Sequence, residues 1–172
     1  ALRKVLGTHV QQAGSYVDDE RVRFDFTHVQ ALSDEELSRV ESLVNANILV
    51  GNTVTTTETD METAQKSGAM ALFGEKYGKV VRMVRMGDFS KELCGGTHVS
   101  NTAQIGLFKI TAESSVAAGV RRIEGVTGLG VLQLLNEDKA LILQTAKELK
   151  SANPHDIATR AHQLSEELRI TK

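Results

Sequence analysis

The sequence of 172 residues contains one cysteine, one proline and no tryptophan. A single cysteine cannot form an internal disulfide and is typical of a reducing compartment, so we expect a cytoplasmic protein. No apolar run approaches the roughly 18 residues that a membrane helix needs, and no secretory signal opens the sequence. The sequence therefore predicts no association with a membrane.

An excess of basic residues is also missing, because the formal net charge is −2. Domains that bind nucleic acid usually have a basic balance. Any contact with RNA is therefore expected to be local, or to be supplied mainly by another part of a longer protein. The chain begins at Ala1 in helix-like sequence, and this start predicts a piece cut from a longer polypeptide.

Two periodic runs near the start of the chain predict a β-hairpin. Val22, Phe24 and Phe26 alternate with charged residues in RVRFDF, which is the pattern of a half-buried strand. The preceding run HVQQAGSYV predicts the partner strand, and DDE predicts the turn. Further strands are predicted at TVTTTET, KVVRMVRM, LFKITAESS and RRIEGVTG.

One amphipathic segment predicts a long helix. Ser33 and Glu36 have the spacing of a capping box at its start, and Gly51 predicts its end. A short helix is predicted at residues 60–66. Together these elements predict an α+β fold over residues 1–130, with a mostly antiparallel sheet and helices packed on one of its faces.

Residues 131–172 have a different composition and predict a helical hairpin or linker. Leu135, Ile142 and Leu149 recur at sevenfold spacing on the first helix. Asn153 is the predicted cap of the second helix, and Pro154 is its predicted first residue. The apolar stripe predicts packing within this tail or self-association through its helices.

The sequence LCGGTH contains the only cysteine, Cys94, four residues before His98. A thiolate and an imidazole suit Zn²⁺, and the glycines between them allow the backbone to fold tightly around an ion. The same pair also suits nucleophilic catalysis, with His98 accepting the proton of Cys94. The third reading is structural, since a lone cysteine often behaves as a small buried hydrophobic residue. The spacing alone leaves these three possibilities open.

A zinc site needs three or four protein ligands, and this pair supplies two. The other histidines are His9, His28, His155 and His162. The first two lie at predicted strand ends, and the last two lie in the polar tail, where we expect them to be solvated. No residue of this chain convincingly completes a zinc site.

Several long motifs resemble the editing domain of alanyl-tRNA synthetases, which free-standing editing proteins share. They are LRKVLGTHVQQAGSYV, RFDF, GAMALFGEKYG, GDFSKELCGGTHVSNTAQIGLFKI and ESSVAAGVRRIEGVTG. They occur in order and cover nearly the whole chain. The resemblance implies that residues 1–130 are an aminoacyl-tRNA editing domain without its N-terminal part. It also implies that residues 131–172 lead toward a C-terminal domain that this chain lacks.

The resemblance implies a zinc ion held by an H-x3-H pair together with the cysteine and histidine of the CGGTH-type loop. Carried over, Cys94 and His98 are two of the four ligands. The H-x3-H pair is expected immediately before Ala1, so this chain would hold half of the metal site. The chain by itself is then expected to be free of zinc and inactive.

The implied activity is hydrolysis of Ser-tRNA(Ala) and Gly-tRNA(Ala), within a parent that attaches alanine to tRNA(Ala) using ATP. The resemblance places Gln12 and Ser15 in the substrate pocket, and a bulge at Gly14 would bring them to one side of their strand. Thr97 is expected to add a hydroxyl contact. No general base is predicted, so the catalytic residue is left open.

The implied partner is the acceptor end of tRNA(Ala), with Arg121 and Arg122 as candidates for contacting phosphate. A surface ion pair with Glu124 is the alternative for these arginines. Lys79, Arg82 and Arg85 form a second basic group, which we expect to be a solvated strand face. Three other functions remain open: a catalytically silent tRNA-binding module, a free-standing trans-editing protein, and a metal-free cysteine hydrolase.

Overall fold

The computed structural model describes residues 1–70 and 78–170, so most of the motif GAMALFGEKYG lies outside the described residues. The chain divides into two compact units, Ala1–Val131 and Leu132–Lys172. The predicted α+β class is confirmed, since antiparallel strands and separate helices make up the described elements. The functional labels given to the two predicted domains stay predictions.

The described residues contain seven strands and five α-helices. The strands are β1 (Gln12–Val17), β2 (Val22–Thr27), β3 (Val54–Asp60), β4 (Val80–Met86), β5 (Ser90–Leu93), β6 (Phe108–Ala117) and β7 (Val120–Thr127). The helices are α1 (Leu2–Leu6), α2 (Asp34–Leu49), α3 (Met61–Lys66), α4 (Leu129–Glu148) and α5 (Ile157–Ile170). Two short 3-10 turns, Thr102–Ile105 and Pro154–Asp156, complete the described elements.

The strands form two antiparallel sheets. One has the order β1-β2-β7-β6 and the other has the order β3-β4-β5. The predicted hairpin is β1 and β2, and its turn is closed by the Asp18 carboxylate, which accepts hydrogen bonds from two backbone N–H groups. Strand β5 was not predicted, because its sequence SKEL lacks the β-branched and aromatic residues that mark a strand.

The core of the larger sheet lies on one face, beneath α1 and α2. Phe26 is completely buried there, and Ile123 lies beside it on β7. Leu2 of α1 and Leu37 of α2 pack against this cluster. The helices therefore cover one face of this sheet, as predicted.

The smaller sheet packs one of its faces on α3. Val81 of β4 and Leu93 of β5 form a buried cluster with Ala64 of α3. Since side chains alternate along a strand, Glu92 points to the opposite face, which it shares with its cross-strand neighbour Val84. This second face of the smaller sheet lies beside the cavities described below.

The second unit contains most of α4, the turn Pro154–Asp156 and α5. The side chain of Asn153 accepts a hydrogen bond from the His155 N–H, so Asn153 is a cap as predicted. It caps the 3-10 turn that begins at Pro154, and α5 itself begins at Ile157. Leu135 and Ile142 remain about half exposed, at 52% and 48%. Self-association through this apolar stripe stays a prediction. Among the described helices, none combines the length and the apolar character that crossing a bilayer requires.

The capping box predicted for α2 is present, and it yields a stability prediction. Ser33 accepts a hydrogen bond from the Glu36 N–H, and the Glu36 carboxylate accepts one from the Ser33 N–H. Ser33→Ala should lower the free energy of unfolding by about 1 kcal/mol, because an N-terminal N–H group loses its partner. Urea unfolding followed by circular dichroism measures the loss. Ser38→Ala, an exposed position within the same helix, is the control, and equal effects of the two substitutions would contradict the prediction.

Candidate functional site

A β-bulge brings the side chains of Gln12 and Ser15 together. The register between β1 and β2 shifts between Gln12 and Gly14, which leaves Ala13 without a cross-strand partner. In a regular strand, residues three apart point to opposite faces. The extra residue cancels that offset, and the Gln12 amide donates a hydrogen bond of 3.1 Å to the Ser15 hydroxyl. The bulge expected at Gly14 is therefore confirmed.

Gln12 lines a cavity of about 260 Å³ in the first unit. Ser15 is exposed on the same face of the strand and is not part of the cavity wall. The cavity wall is mostly apolar, with Gln12 and Glu92 among its few polar side chains; Phe24, Val40, Val44, Met70, Leu93, Phe108 and Ile123 supply apolar surface. A small apolar pocket with a few convergent polar groups is the usual form of a ligand site.

The CGGTH loop begins as an extension of the smaller sheet. The Cys94 N–H donates to the carbonyl of Arg82 at 3.0 Å, which continues the β4–β5 ladder by one residue beyond Leu93. Cys94 is a free, half-buried thiol. The Arg82 guanidinium also donates to the carbonyl of Gly96. A β-carbon on Gly96 would lie 3.6 Å from the Cys94 sulfur, so the turn folds back toward the thiol.

The far end of the loop is fixed to the end of α2. Thr102 is buried, and its hydroxyl lies 3.2 Å from the carbonyl oxygens of Asn47 and Ile48. The same oxygen accepts a hydrogen bond of 2.9 Å from the Asn52 N–H. Asn101 donates to the Gly51 carbonyl at 2.7 Å. The segment that carries His98 is therefore held at both ends by different parts of the fold.

A second cavity, of about 720 Å³, lies beside this segment. Thr97 and His98 are part of its wall, together with the β1–β2 turn. Val44, Glu92 and Phe108 line both cavities, so the two are neighbours. The fold thus brings Gln12, Thr97 and His98, predicted from distant parts of the sequence, to adjoining cavities. Sequence reasoning missed Glu92, which no sequence pattern distinguishes from an ordinary strand residue.

The pair Cys94 and His98 offers two of the donor atoms that zinc favours. His98 Nδ1 is buried and has no hydrogen-bond partner among the described residues, which is unusual for a ring nitrogen and leaves it available to a ligand. Within residues 1–70 and 78–170, no group of three or more histidine, cysteine, aspartate or glutamate side chains could hold a metal ion. Cys94 and His98 are donors of the types that zinc favours, and the described residues do not form a complete zinc site.

The other histidines lie elsewhere. His9 Nε2 and His28 Nδ1 are 2.9 Å apart and share a hydrogen bond, and their rings stack at 5.2 Å. His155 and His162 are exposed on the second unit, as expected. The ordinary hydrogen-bonding role considered for His9 is thus observed.

Arg121 and Arg122 both form two-pronged ion pairs within the larger sheet. Arg121 donates to both carboxylate oxygens of Glu113 at 2.5 and 2.6 Å. Arg122 donates to both oxygens of Asp25 at 2.7 Å. Both arginines therefore form ion pairs, as the alternative predicted, but their partners are Glu113 and Asp25 rather than Glu124. Glu124 lies 3.5 Å from Arg21 instead. Contact of either arginine with RNA stays a prediction, and it would require exchange of these partners.

The basic group predicted at Lys79, Arg82 and Arg85 is not one solvated face. Arg82 and Arg85 are three residues apart on β4 and therefore point to opposite sides. Arg82 reaches the Gly96 carbonyl, and Arg85 donates to the Gly87 carbonyl at 2.7 Å. Lys79 is exposed just before the strand.

Comparison with known proteins identifies a consistent set of relatives. Residues 81–124 match the family described as the threonyl and alanyl tRNA synthetase second additional domain. The alanine–tRNA ligase of Pediococcus pentosaceus is 56% identical over 164 residues, which are 95% of this chain and 19% of that protein. The enzymes of Enterococcus faecalis and Pelotomaculum thermopropionicum are 52% and 53% identical over 169 residues, which are 98% of this chain and 19% of each protein.

The chain thus spans 19% of the length of the curated relatives it matches. Nearly all of it aligns with one segment of them. The predicted resemblance to alanyl-tRNA synthetases is confirmed by these matches.

The Asp25–Arg122 pair yields a prediction for the pH dependence of stability. The hydrogen bonds from Arg122 lower the pKa of Asp25 below its ordinary value of 3.8, although partial burial opposes the shift. Because the pKa of Asp25 is lower in the folded state, the ion pair stabilises the fold above pH 3.8. This stabilisation is lost as the pH falls through the folded-state pKa. The wild type should therefore exceed Asp25→Asn in stability by a constant amount near neutrality and by a shrinking amount in acid.

Urea unfolding of both proteins, from about pH 7 to about pH 2, measures this difference. Asp19→Asn, which removes a carboxylate at an exposed position in the β1–β2 turn, is the control. A difference between the wild type and Asp25→Asn that stays constant into acid would show that the pair does not contribute in this way.

Proposed function

We propose that this chain, which resembles a segment of alanyl-tRNA synthetases over nearly its whole length, is the editing part of such an enzyme. Its reaction is hydrolysis of the ester that links serine or glycine to the terminal ribose of tRNA(Ala). Its partner is the acceptor end of that tRNA, and the parent enzyme works in the cytoplasm, where it attaches alanine using ATP. The observation that carries the proposal is the convergence of Gln12, Thr97 and His98 on two adjoining cavities.

The selection problem of an alanine-activating enzyme explains the need for a second site. Serine is alanine with an added hydroxyl, and glycine lacks its methyl group. Pocket fit alone rejects such analogues by only about 10- to 200-fold. A hydrolytic site that binds the wrong product restores accuracy, because polar groups that meet the serine hydroxyl are left unpaired when alanine enters.

The Gln12–Ser15 pair and Glu92 support an aminoacyl ester as the substrate. The Gln12 amide and the Ser15 hydroxyl form a small polar group at the edge of the smaller cavity, and they can exchange their mutual hydrogen bond for bonds to a serine hydroxyl. Thr97 adds a second hydroxyl in the larger cavity. Glu92 lines both cavities with a carboxylate, whose charge complements the ammonium group of any aminoacyl ester.

Cys94 and His98 are proposed as two ligands of zinc, with further ligands from outside the described residues. A zinc ion held by these residues and the further ligands would act as a Lewis acid toward the ester or a water molecule. Cys94 is positioned by the extended β4–β5 ladder, and His98 offers a buried ring nitrogen that has no partner among the described residues. Neither residue is proposed as the general base, and the group that moves the proton in hydrolysis is not assigned.

His98→Ala tests the metal assignment and the activity together. In the alanine–tRNA ligase polypeptide that carries this segment, the substitution should reduce the zinc content of the editing site. It should also lower Ser-tRNA(Ala) deacylation by more than the roughly 10- to 100-fold that loss of an outer metal contact costs. Zinc analysis and a deacylation assay with radiolabelled serine are the measurements. His162→Ala, an exposed histidine of α5, is the matched control.

Two outcomes would contradict parts of this proposal. Full deacylation by His98→Ala would remove His98 from the site. Activity that survives complete removal of zinc, but disappears when Cys94 is alkylated, would indicate a metal-free cysteine hydrolase instead.

Gln12→Ala tests the recognition of the serine hydroxyl. We expect kcat/KM for Ser-tRNA(Ala) to fall about tenfold, the effect of one lost hydrogen bond of ~1.4 kcal/mol. The value for Gly-tRNA(Ala) should fall less, because glycine has no hydroxyl to lose. Gln30→Ala, at an exposed position outside the walls of both cavities, is the control. Equal losses with both substrates would show that Gln12 does not read the hydroxyl.

A further inference from the structure

The CGGTH loop contains a turn that packing does not hold. Gly95 and Gly96 are both exposed, and a β-carbon added to Gly95 would meet no atom within 4 Å. Glycine also loses more conformational freedom on ordering than any other residue. A turn with these properties needs a specific interaction to keep one conformation.

Arg82 supplies such an interaction from the neighbouring strand. Its backbone carbonyl accepts the Cys94 N–H at 3.0 Å, and its guanidinium donates to the Gly96 carbonyl. Arg82 thus holds the loop at the backbone of Cys94 and again at the carbonyl of Gly96. We propose that Arg82 is a positioning residue, whose guanidinium fixes the Gly95–Gly96 turn and thereby the separation of the Cys94 thiol from the His98 ring.

The direction of the Arg82 side chain supports this role. Glu58 lies directly opposite Arg82 in the β3–β4 register, where two opposite charges commonly form a cross-strand pair. Among the described residues, however, no ion pair joins them, and the guanidinium reaches the loop carbonyl instead. A hydrogen bond from a charged donor is worth about twice a neutral one.

A matched arginine on the same strand provides the control. Arg85 also donates to a glycine carbonyl, that of Gly87, but in the β4–β5 turn rather than in the loop that contains Cys94. Replacing either arginine removes one charge and one bond to a glycine carbonyl, and replacing Arg85 also removes its ion pair with Asp88. Only the loss of Arg82 should change the surroundings of Cys94.

The test measures the reactivity of the thiol. Because the chain has one cysteine, alkylation by iodoacetamide reports on Cys94 alone. We expect Arg82→Gln to raise the alkylation rate about tenfold, as the loss of one charge-assisted hydrogen bond frees the turn. Arg82→Lys, which keeps a charged donor, should fall between Arg82→Gln and the wild type, and Arg85→Gln should match the wild type. Rates are compared at the alkaline plateau, where the thiolate content is equal.

Unchanged reactivity in Arg82→Gln would overturn the proposal, as would an equal increase in Arg85→Gln. Circular dichroism and urea unfolding of each variant show that the fold is retained. If Arg82→Gln does not fold, the comparison rests on Arg82→Lys and Arg85→Gln, and equal rates in these two variants overturn the proposal.

A second measurement tests what the positioned pair binds, and this part rests on the proposed function. Cd²⁺ bound by Cys94 should protect the thiol from alkylation. The Cd²⁺ concentration that halves the alkylation rate should rise about tenfold in Arg82→Gln. Such a change is within the range seen when metal ligands lose an outer-shell contact. If Cd²⁺ does not protect the wild-type thiol, Cys94 and His98 by themselves do not bind the ion. That result would contradict this second part of the proposal, while the alkylation comparison still decides the role of Arg82. Equal protection of the wild type and of Arg82→Gln by Cd²⁺ would show that Arg82 affects the turn but not metal binding by Cys94 and His98. This result would contradict the proposed effect of Arg82 on the ligand pair.

Discussion

The candidate site depends on the extension of the β4–β5 ladder to Cys94. This backbone hydrogen bond, from the Cys94 N–H to the Arg82 carbonyl, fixes where the strand ends and the glycine-containing turn begins. At the other end of the loop, buried Thr102 meets the carbonyl groups at the end of α2. Because the loop is anchored to two separate parts of the fold, His98 faces the larger cavity without being part of a regular element.

A second constraint acts on the opposite side of the cavities. The bulge in β1 adds one residue to the strand, and this single addition determines that Gln12 and Ser15 share the face that also carries Phe24 and Phe26. That face is the core face of the larger sheet, so a polar pair lies next to an apolar wall. A regular strand of the same sequence would direct the two side chains to opposite faces of the sheet. Local backbone geometry therefore decides that Gln12, which lines the smaller cavity, has Ser15 as its hydrogen-bond partner.

The charges of the larger sheet show why composition is a limited guide to function. Arg121 and Arg122 stand out in the sequence as a basic pair, yet each guanidinium is engaged by a carboxylate across the sheet. The partners follow no single sequence separation: Asp25 lies 97 residues from Arg122, whereas Glu113 lies 8 residues from Arg121. Arg82 shows the opposite case, because it resembles an ordinary member of a basic strand face and yet it holds the loop that carries Cys94. Neither arrangement can be read from charge pattern, since a charge pattern does not specify partners.

The sequence by itself determined the elements whose signals are local. The β1–β2 hairpin, the capping box of α2, the Asn153 cap and the bulge beside Gly14 depend on residues close together in the chain, and all of them were predicted. The motif around Cys94 and its resemblance to alanyl-tRNA synthetases were equally readable. Only the tertiary structure decided that the strands form two sheets, that Glu92 lines both cavities, and that Arg82 reaches Gly96. These features depend on strand pairing and on contacts between distant residues, for which hydrophobic periodicity carries no information.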